Sequence, residues 1–306
     1  MFDVSRLRIL VEVSRQGTMS AAANSLGYTP SAVSQQIAAL EREAGTPLVT
    51  RGPRGARLTE PGRVLVWHAE RVLAELDAAE ASLSAIADGG GGRLRFGSFV
   101  TANALLMPLA VAAFRERHPR VQLVLFDVDR DDALSLLRRH ELDIALIYEF
   151  DVVPLPTLPD LQLTWLLDDP LHIAVPPGHR LAARHTVDLT ELREETWIQG
   201  VHRGSTIDVL PRACRAAGFE PRIAFRTDDQ VTVHGLVAAG VGIALMPLIA
   251  VPTTRSDLVV RALSSASLTR RIYAAVPADQ HRLPSAEAMV DYLRATAGRT
   301  MARASS

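Results

Sequence analysis

The chain has 306 residues, of which 48% are hydrophobic, so it is long enough to form two or three domains. A formal net charge of −1 excludes a protein whose whole surface is basic for nucleic-acid binding. The chain also lacks an apolar run of about 20 residues that would span a membrane. The single cysteine, Cys214, excludes a disulfide framework and a cysteine zinc site. Neither a metal nor a cofactor is expected.

The chain begins with a helical pattern and not with a secretion signal, so a cytoplasmic protein is expected. Three short helical patterns fall within residues 1–59. Thr18 caps the second helix, and Gly27 permits a left-handed end to it. Thr29 then caps the third helix, and Pro30 takes its first position. So tight a turn between two helices is typical of a helix-turn-helix DNA-binding domain.

The third helix has one apolar face and one polar face. The apolar residues, which we expect to pack on the first two helices, are Val33, Ile37, Leu40 and Ala44. The start of the helix and its polar face predict contacts with DNA bases and phosphates through Thr29, Pro30, Ser31, Ser34, Gln35 and Arg42. A polar helix face is more often a solvated surface, but the tight turn before this one favours DNA binding.

Residues 50–59 contain glycines and a proline placed for a tight hairpin, and we interpret the segment as a wing. Arg51 and Arg54 are expected to contact a narrow minor groove or a phosphate, because the guanidinium group pairs well with both. Without the neighbouring helices, a basic surface loop would be the better interpretation. Residues 1–58 hold seven arginines against four acidic side chains, so this domain carries a local charge of +3.

Several residue types at fixed spacing identify a family at this point. They are Ala22, Ala23, Leu26, the segment 30–37, Leu40, Glu41, Gly45, Leu48, Arg51, Leu58 and Thr59. This pattern resembles the LysR-type transcriptional regulators, although Val49 stands where that family usually has phenylalanine. The resemblance implies a regulator that binds double-stranded DNA, is not an enzyme, and responds to a small-molecule effector.

Residues 60–88 predict one long helix. Apolar residues recur in it at alternating spacings of four and three, at Leu65, Ala69, Val72, Leu76, Ala79, Leu83 and Ile86. So narrow a stripe favours a coiled coil with a second subunit, and a helix that packs on its own DNA-binding domain is the alternative. In relatives this linker helix forms a homodimer, whose two recognition helices would reach half-sites about one DNA turn, or a multiple of it, apart.

The four glycines of residues 89–92 predict a flexible hinge, and strands then alternate with helices in residues 93–306. Strands are predicted at 94–97, 121–127, 142–148, 171–175, 197–199, 223–226, 243–245 and 272–276. Helices are predicted at 104–117, 133–139, after Thr206, at 231–239 and at 285–297. The first three strands, with their helices, predict a parallel sheet covered on both faces. The whole chain is thus a multidomain α+β protein.

The resemblance implies that residues 93–306 form an effector-binding domain similar in fold to periplasmic solute-binding proteins. Lobe I would comprise about 93–165 and 270–300, and lobe II about 166–269. Relatives commonly form homotetramers through this domain, so the same assembly is expected here.

Ligands of open parallel sheets lie beyond the carboxyl ends of the strands. That rule predicts effector contacts for Ser98, Thr101, Asn103, Asp129, Tyr148, Gln199, His202, Arg203, Ser205 and Thr227. Any one of these residues could instead cap a helix or lie in a solvated loop, but their convergence on one cleft favours ligand binding.

An arginine beside hydroxyl groups at a helix start, as at Arg203, would hold a carboxylate, which favours a small organic acid or an amino acid as effector. Asp127, Asp129 and Asp228 could instead pair with an amine, and a zwitterion would satisfy both interpretations. The sequence has neither a phosphate-binding glycine loop nor a nucleophile elbow, so these motifs give no support to an enzyme. The remaining alternative is a ligand-insensitive DNA-binding repressor that uses its lobes only for oligomerisation, and its stability would not respond to metabolites.

Overall fold

The computed structural model describes residues 1–52, 55–87, 92–200, 209–264, 268–278 and 283–304. The chain forms two compact units, Met1–Ser84 and Ala85–Ser306. Within the described ranges, no helix is both long and apolar enough to cross a membrane.

The first unit is a winged helix-turn-helix, as predicted. Its elements are the helices α1 (Val4–Gln16), α2 (Met19–Leu26) and α3 (Pro30–Ala44), the antiparallel strands β1 (Val49–Gly52) and β2 (Gly55–Leu58), and the start of helix α4 (Glu60–Ala87). The hydroxyls of Thr18 and Thr29 cap α2 and α3 by accepting from backbone N–H groups at 3.1 and 3.2 Å. Gly27 ends α2 with a φ of 70°.

Helix α4 packs on the DNA-binding domain along one face and is exposed along another. Val66, Ala69 and Leu73 are buried in the core of the first unit. Val72 and Leu76 of the predicted stripe are about 45% and 40% exposed. Packing on the same chain therefore occupies the first half of α4 and leaves much of the apolar stripe at the surface.

The second unit contains two lobes joined by shared strands. Its elements in chain order are β3 (Gly92–Ser98), α5 (Val100–Ala104), α6 (Leu106–Arg117), β4 (Val121–Asp127), α7 (Arg130–Arg138), β5 (Ile144–Phe150), β6 (Leu161–Val175), β7 (Thr186–Val187), β8 (Thr196–Gln199), α8 (Val209–Ala216), β9 (Arg222–Arg226), α9 (Gln230–Ala238), β10 (Ala244–Pro247), β11 (Val259–Leu263), β12 (Thr269–Pro277) and α10 (Pro284–Ala304). The predicted hinge lies outside the described residues, except for Gly92, which begins β3.

The strand order of the main sheet is β4-β3-β5-β12-β6-β11-β7, with β10 also paired to β6. Strands β3, β4 and β5 are parallel, as predicted, whereas β12 and β6 run antiparallel to their neighbours. On β5, Ile144 and Leu146 face a core that includes α6 and α10, while Ala145 and Ile147 face α7. This alternation buries β5 on both sides.

Three features of the second unit differ from the sequence prediction. Strand β6 begins at Leu161 and runs through the predicted lobe boundary, pairing first with β12 and then, from Leu171, with β10 and β11. The predicted helix at 104–117 is observed as α6, and a short unpredicted helix, α5, precedes it and is separated from it by Leu105, which has non-helical dihedral angles. The short strands β7 and β11 were not predicted, since neither has a sequence pattern strong enough to indicate a strand.

Candidate functional site

The face of α3 predicted to contact DNA is accessible. Val33, Ile37 and Leu40 are fully buried, so α3 is fixed on the first two helices through its apolar side. Among the predicted contacts, Ser34 is half-buried, while Thr29, Pro30, Ser31, Gln35 and Arg42 are exposed. The Thr29 hydroxyl caps α3 and lies 3.0 Å from the Ser31 hydroxyl, so it also orients a neighbouring polar group.

A carboxylate near the end of α3 holds the entry to the wing. Glu41 Oε1 accepts hydrogen bonds from the backbone N–H groups of Leu48 at 2.8 Å and Val49 at 3.1 Å. Val49, the residue that departs from the family pattern, is 8% exposed and joins the core. In the sequence, Glu41 is recognisable only as part of the family pattern, because nothing local indicates that its side chain reaches across to β1.

The wing also docks on the turn between α1 and α2. The N–H of Ala56 donates to the carbonyl of Gly17 at 2.8 Å. Gly55 has a φ of 112°, and a Cβ atom there would lie 2.5 Å from that same carbonyl oxygen, so only glycine fits. Arg51 pairs through its backbone with Ala56 in the wing, but its side chain and the whole of Arg54 lie outside the described residues.

The second unit contains a cavity of about 130 Å³ lined by both lobes. Five predicted effector contacts line it, namely Thr101, Asp129, Tyr148, Gln199 and Thr227. Thr101 and Asp129 lie at the starts of α5 and α7, Tyr148 and Gln199 lie near the ends of β5 and β8, and Thr227 lies between β9 and α9. The cavity is similar in size to an engineered cavity of about 150 Å³ that holds benzene, so it suits a small molecule.

Two predicted contacts, Ser98 and Asn103, do not line this cavity. The Ser98 side chain is 1% exposed, and its Oγ atom has no hydrogen-bond partner among the described atoms. Asn103 donates from Nδ2 to Asp127 Oδ1 at 2.8 Å, so its amide links α5 to the end of β4. The predicted contacts His202, Arg203 and Ser205 lie outside the described residues.

Arg270 is the main cavity residue that the sequence analysis missed. Its guanidinium donates from Nε and Nη2 to Asp169 Oδ2 at 3.0 and 2.6 Å, and from Nη2 to the Thr101 hydroxyl at 3.0 Å. Asp169 is fully buried, and its Oδ1 accepts from the backbone N–H of Ile249 at 3.0 Å. Arg270 lies at the start of β12, next to a second arginine, where sequence alone indicates only a solvated strand end.

Aromatic and acidic side chains complete the cavity lining. The rings of Phe99 and Tyr148 meet edge to face, with their centroids 4.6 Å apart. Asp129 and Asp228 also line the cavity, so its described walls carry two carboxylates besides the Arg270–Asp169 pair. A ligand here would meet apolar surface, one cationic group and nearby negative charge.

The only cysteine is unsuited to redox sensing. Cys214 is buried in α8, and burial, followed by the charge of Glu220, raises the pKa of its thiol to about 12. A thiol with so high a pKa stays protonated at neutral pH, and the thiolate is the reactive form. Within the described part of the chain, no cluster of three or more histidine, cysteine or acidic side chains is arranged to hold a metal ion.

Two family models match the chain in the order of its two units. Residues 4–63 match the bacterial regulatory helix-turn-helix protein of the lysR family, and residues 87–298 match the LysR substrate binding domain. The transcriptional dual regulator GltC of Bacillus subtilis is 29% identical over 250 residues, which is 80% of each chain. The probable HTH-type transcriptional regulator LrrA of Synechococcus elongatus is 30% identical over 295 residues, 96% of this chain and 97% of LrrA.

Solved structures agree with the fold. The crystal structure of CbnR, a LysR family transcriptional regulator, superposes with a TM-score of 0.68 at 23% identity and covers 97% of this chain and 99% of CbnR. CbnR complexed with its target DNA gives a TM-score of 0.66 at 22% identity, over 96% of this chain and all of CbnR. At this level of identity the likeness establishes the fold alone.

Proposed function

The chain belongs to the LysR family of bacterial transcriptional regulators, and we propose that a small-molecule effector bound between its two lobes controls its contacts with DNA. Its named relatives are transcriptional regulators and not enzymes. The observation that carries the proposal is the cavity of about 130 Å³ whose walls come from both lobes. A molecule that contacts both walls stabilises one arrangement of the lobes over another. In a dimer of this chain, that change in lobe arrangement would shift the spacing of the two DNA-binding domains.

The proposed DNA-binding surface is the exposed face of α3 together with the wing. Ser31, Ser34 and Gln35 would contact base edges in the major groove, because their side chains are short or carry both donors and acceptors. Arg42, Arg51 and Arg54 would contact phosphates or the minor groove, and Thr29 and Pro30 would begin the helix at the groove. The exposure of the described members of this set supports the assignment. Since its target is bacterial DNA, the protein would work in the cytoplasm.

A homodimer through α4 would pair two DNA-binding domains. Val72, Leu76 and Leu83 are exposed at spacings of four and seven, although they are large and apolar. A second α4 packed along this stripe would remove it from water, which is the main driving force for helix pairing. Two DNA-binding domains held in this way would bind half-sites separated by about one turn of DNA or a multiple of it.

A homotetramer through the second unit is supported by apolar side chains exposed on strands β4 and β9 and on helix α9. Strand β4 forms one edge of the main sheet, and its Leu125 and Phe126 are 43% and 37% exposed. Phe225 on β9 and Val231 on α9 are 45% and 74% exposed. Edge strands with large apolar side chains tend to pair with another chain, so these two surfaces suit contacts between copies.

A footprint on the DNA upstream of the protein's own gene tests the function. Purified full-length protein should protect two spaced half-sites, and added salt should weaken protection steeply because phosphate contacts release counterions. An organic acid or amino acid that raises the melting temperature should also change the footprint or the bend angle. A stabilising compound that left both unchanged would contradict effector control of DNA binding. If no metabolite changed the melting temperature, the footprint or the bend angle, the chain would be a ligand-insensitive repressor that uses its lobes only for oligomerisation.

A further inference from the structure

The guanidinium of Arg270 has one nitrogen that no described group uses. The side chain is only 5% exposed, and its Nε and Nη2 atoms donate to Asp169 and Thr101. Nη1 donates to no atom of the described residues, and Arg270 lines the cavity. A ligand in the cavity can supply an acceptor for Nη1, and a carboxylate would bind this cation more strongly than a neutral group would.

The surroundings of Arg270 hold its guanidinium group in place. Its Cζ atom lies 5.0 Å from the ring centroid of Phe99 and 5.2 Å from that of Tyr148. Asp169, which binds its Nε and Nη2 atoms, is itself held by the N–H of Ile249. A cation fixed between aromatic rings in a low-dielectric site makes stronger hydrogen bonds than one in water, and it loses little entropy when a ligand binds.

We propose that Arg270 is the residue that selects the effector, by donating from Nη1 to a carboxylate of a small molecule with an apolar body. This inference rests on the proposed function, since it takes the cavity to be the effector site. Charge-assisted hydrogen bonds from arginine to carboxylates are stronger than neutral ones, which favours an acid over its amide. The apolar body would pack against Phe99 and Tyr148, and Asp129 and Asp228 would favour an additional ammonium group on the ligand.

Thermal unfolding of the full-length protein with matched compounds tests the proposal. The probes are leucine, 4-methylpentanoate and leucinamide, and the corresponding set phenylalanine, 3-phenylpropanoate and phenylalaninamide. The two acids of at least one set should raise the melting temperature, with the amino acid ahead of the simple acid, while the amide of that set should not. Equal shifts from an acid and its amide would overturn the role of Arg270.

Variants separate recognition from a purely structural role. Arg270→Gln combined with Asp169→Asn removes both charges together and should weaken acid binding on the order of 10- to 100-fold. Asp169→Asn alone keeps Arg270 cationic but removes its competing anion, so acids should bind more tightly in the folded protein. Arg271→Gln is the matched control, since Arg271 pairs with Glu149 and Asp151 and does not line the cavity.

Two results would reject the proposal while leaving the regulator intact. Full acid binding by the double variant would remove Arg270 from the site. If the double variant does not fold, unchanged acid affinity in Asp169→Asn would equally reject the proposal, because the competing carboxylate would then be irrelevant. Stabilisation by none of the six compounds would reject a carboxylate of this size, yet another class of metabolite that alters the footprint would still support effector control.

Discussion

The DNA-binding face and the interlobe cavity are built in opposite ways. The proposed DNA contacts lie within residues 29–54, and those on α3 are exposed or half-buried on one helix. The cavity instead joins side chains far apart in the chain. Arg270 contacts Asp169, which precedes it by 101 positions, and Thr101, which precedes it by 169 positions. Its central charges are buried, whereas Arg42 on α3 is exposed.

This difference indicates how each region should respond to mutation. Replacing an exposed side chain of α3 should alter DNA recognition with little change in stability, because water already solvates the position. Replacing one partner of the buried network should lower stability first, because the remaining charge would be left without a counterion. Four predictions test the contrast, beginning with the largest expected effect.

Asp169→Ala should lower the free energy of unfolding of the second unit by about 3–5 kcal/mol, because Arg270 would remain buried without its counterion. Hydrogen exchange measured by mass spectrometry on the full chain should show the loss of protection in that unit and not in α1 to α3. The matched control is Asp168→Ala, which removes an exposed carboxylate that accepts a hydrogen bond from the exposed Trp165. Equal effects from both variants would contradict the importance of the buried pair.

Glu41→Ala should destabilise the winged helix-turn-helix by about 1–3 kcal/mol and weaken DNA binding, because two N–H groups at the wing entry lose their acceptor. Glu41→Gln keeps a side-chain oxygen at that position and should recover much of the loss. Chemical denaturation and a salt-titrated binding assay would measure the two effects. Wild-type stability and affinity in the alanine variant would show that other contacts position the wing.

Gln35→Ala should reduce discrimination between operator sequences by about 1–3 kcal/mol at one base pair, with little loss of stability. Competition between operators that differ at single positions would measure it. Gln36→Ala provides the control on the same helix, because that side chain accepts a hydrogen bond from Arg6 of α1 at 3.0 Å. A change in specificity from Gln36→Ala alone would mean that the reading face of α3 is assigned wrongly.

The smallest expected effect concerns pH. Burial, followed by the charge of Arg255, lowers the pKa of His234 below its ordinary value of 6.5. His234 therefore binds a proton more readily in the unfolded chain than in the folded chain. The stability that His234 contributes is present above pH 6.5 and falls as the pH drops below that value. His234→Phe should flatten this part of the stability profile of the second unit. An identical acid slope in the variant would exclude His234 as its source.

Much of the fold could be predicted from local sequence patterns, but the cavity only in part. Thr18, Gly27 and Thr29 were enough to predict the helix-turn-helix, because caps and left-handed turns act within a few residues. The predicted contacts Thr101 and Tyr148 line the cavity, in keeping with the rule that the carboxyl ends of parallel strands meet at one edge. Asn103 followed the same rule but binds Asp127, because strand position does not specify side-chain direction.

The sequence by itself determined the family, the winged helix-turn-helix and the parallel strands of lobe I, because helix periodicity, capping and strand alternation are encoded between near neighbours. Only the tertiary structure decided that Glu41 holds the wing, that β6 joins the lobes, and that Arg270 lies buried against Asp169. An arginine at a strand end has the same local pattern whether it is solvated or buried. Its environment depends on chain segments more than 100 residues away, and their packing sets both its charge partner and its access to a ligand.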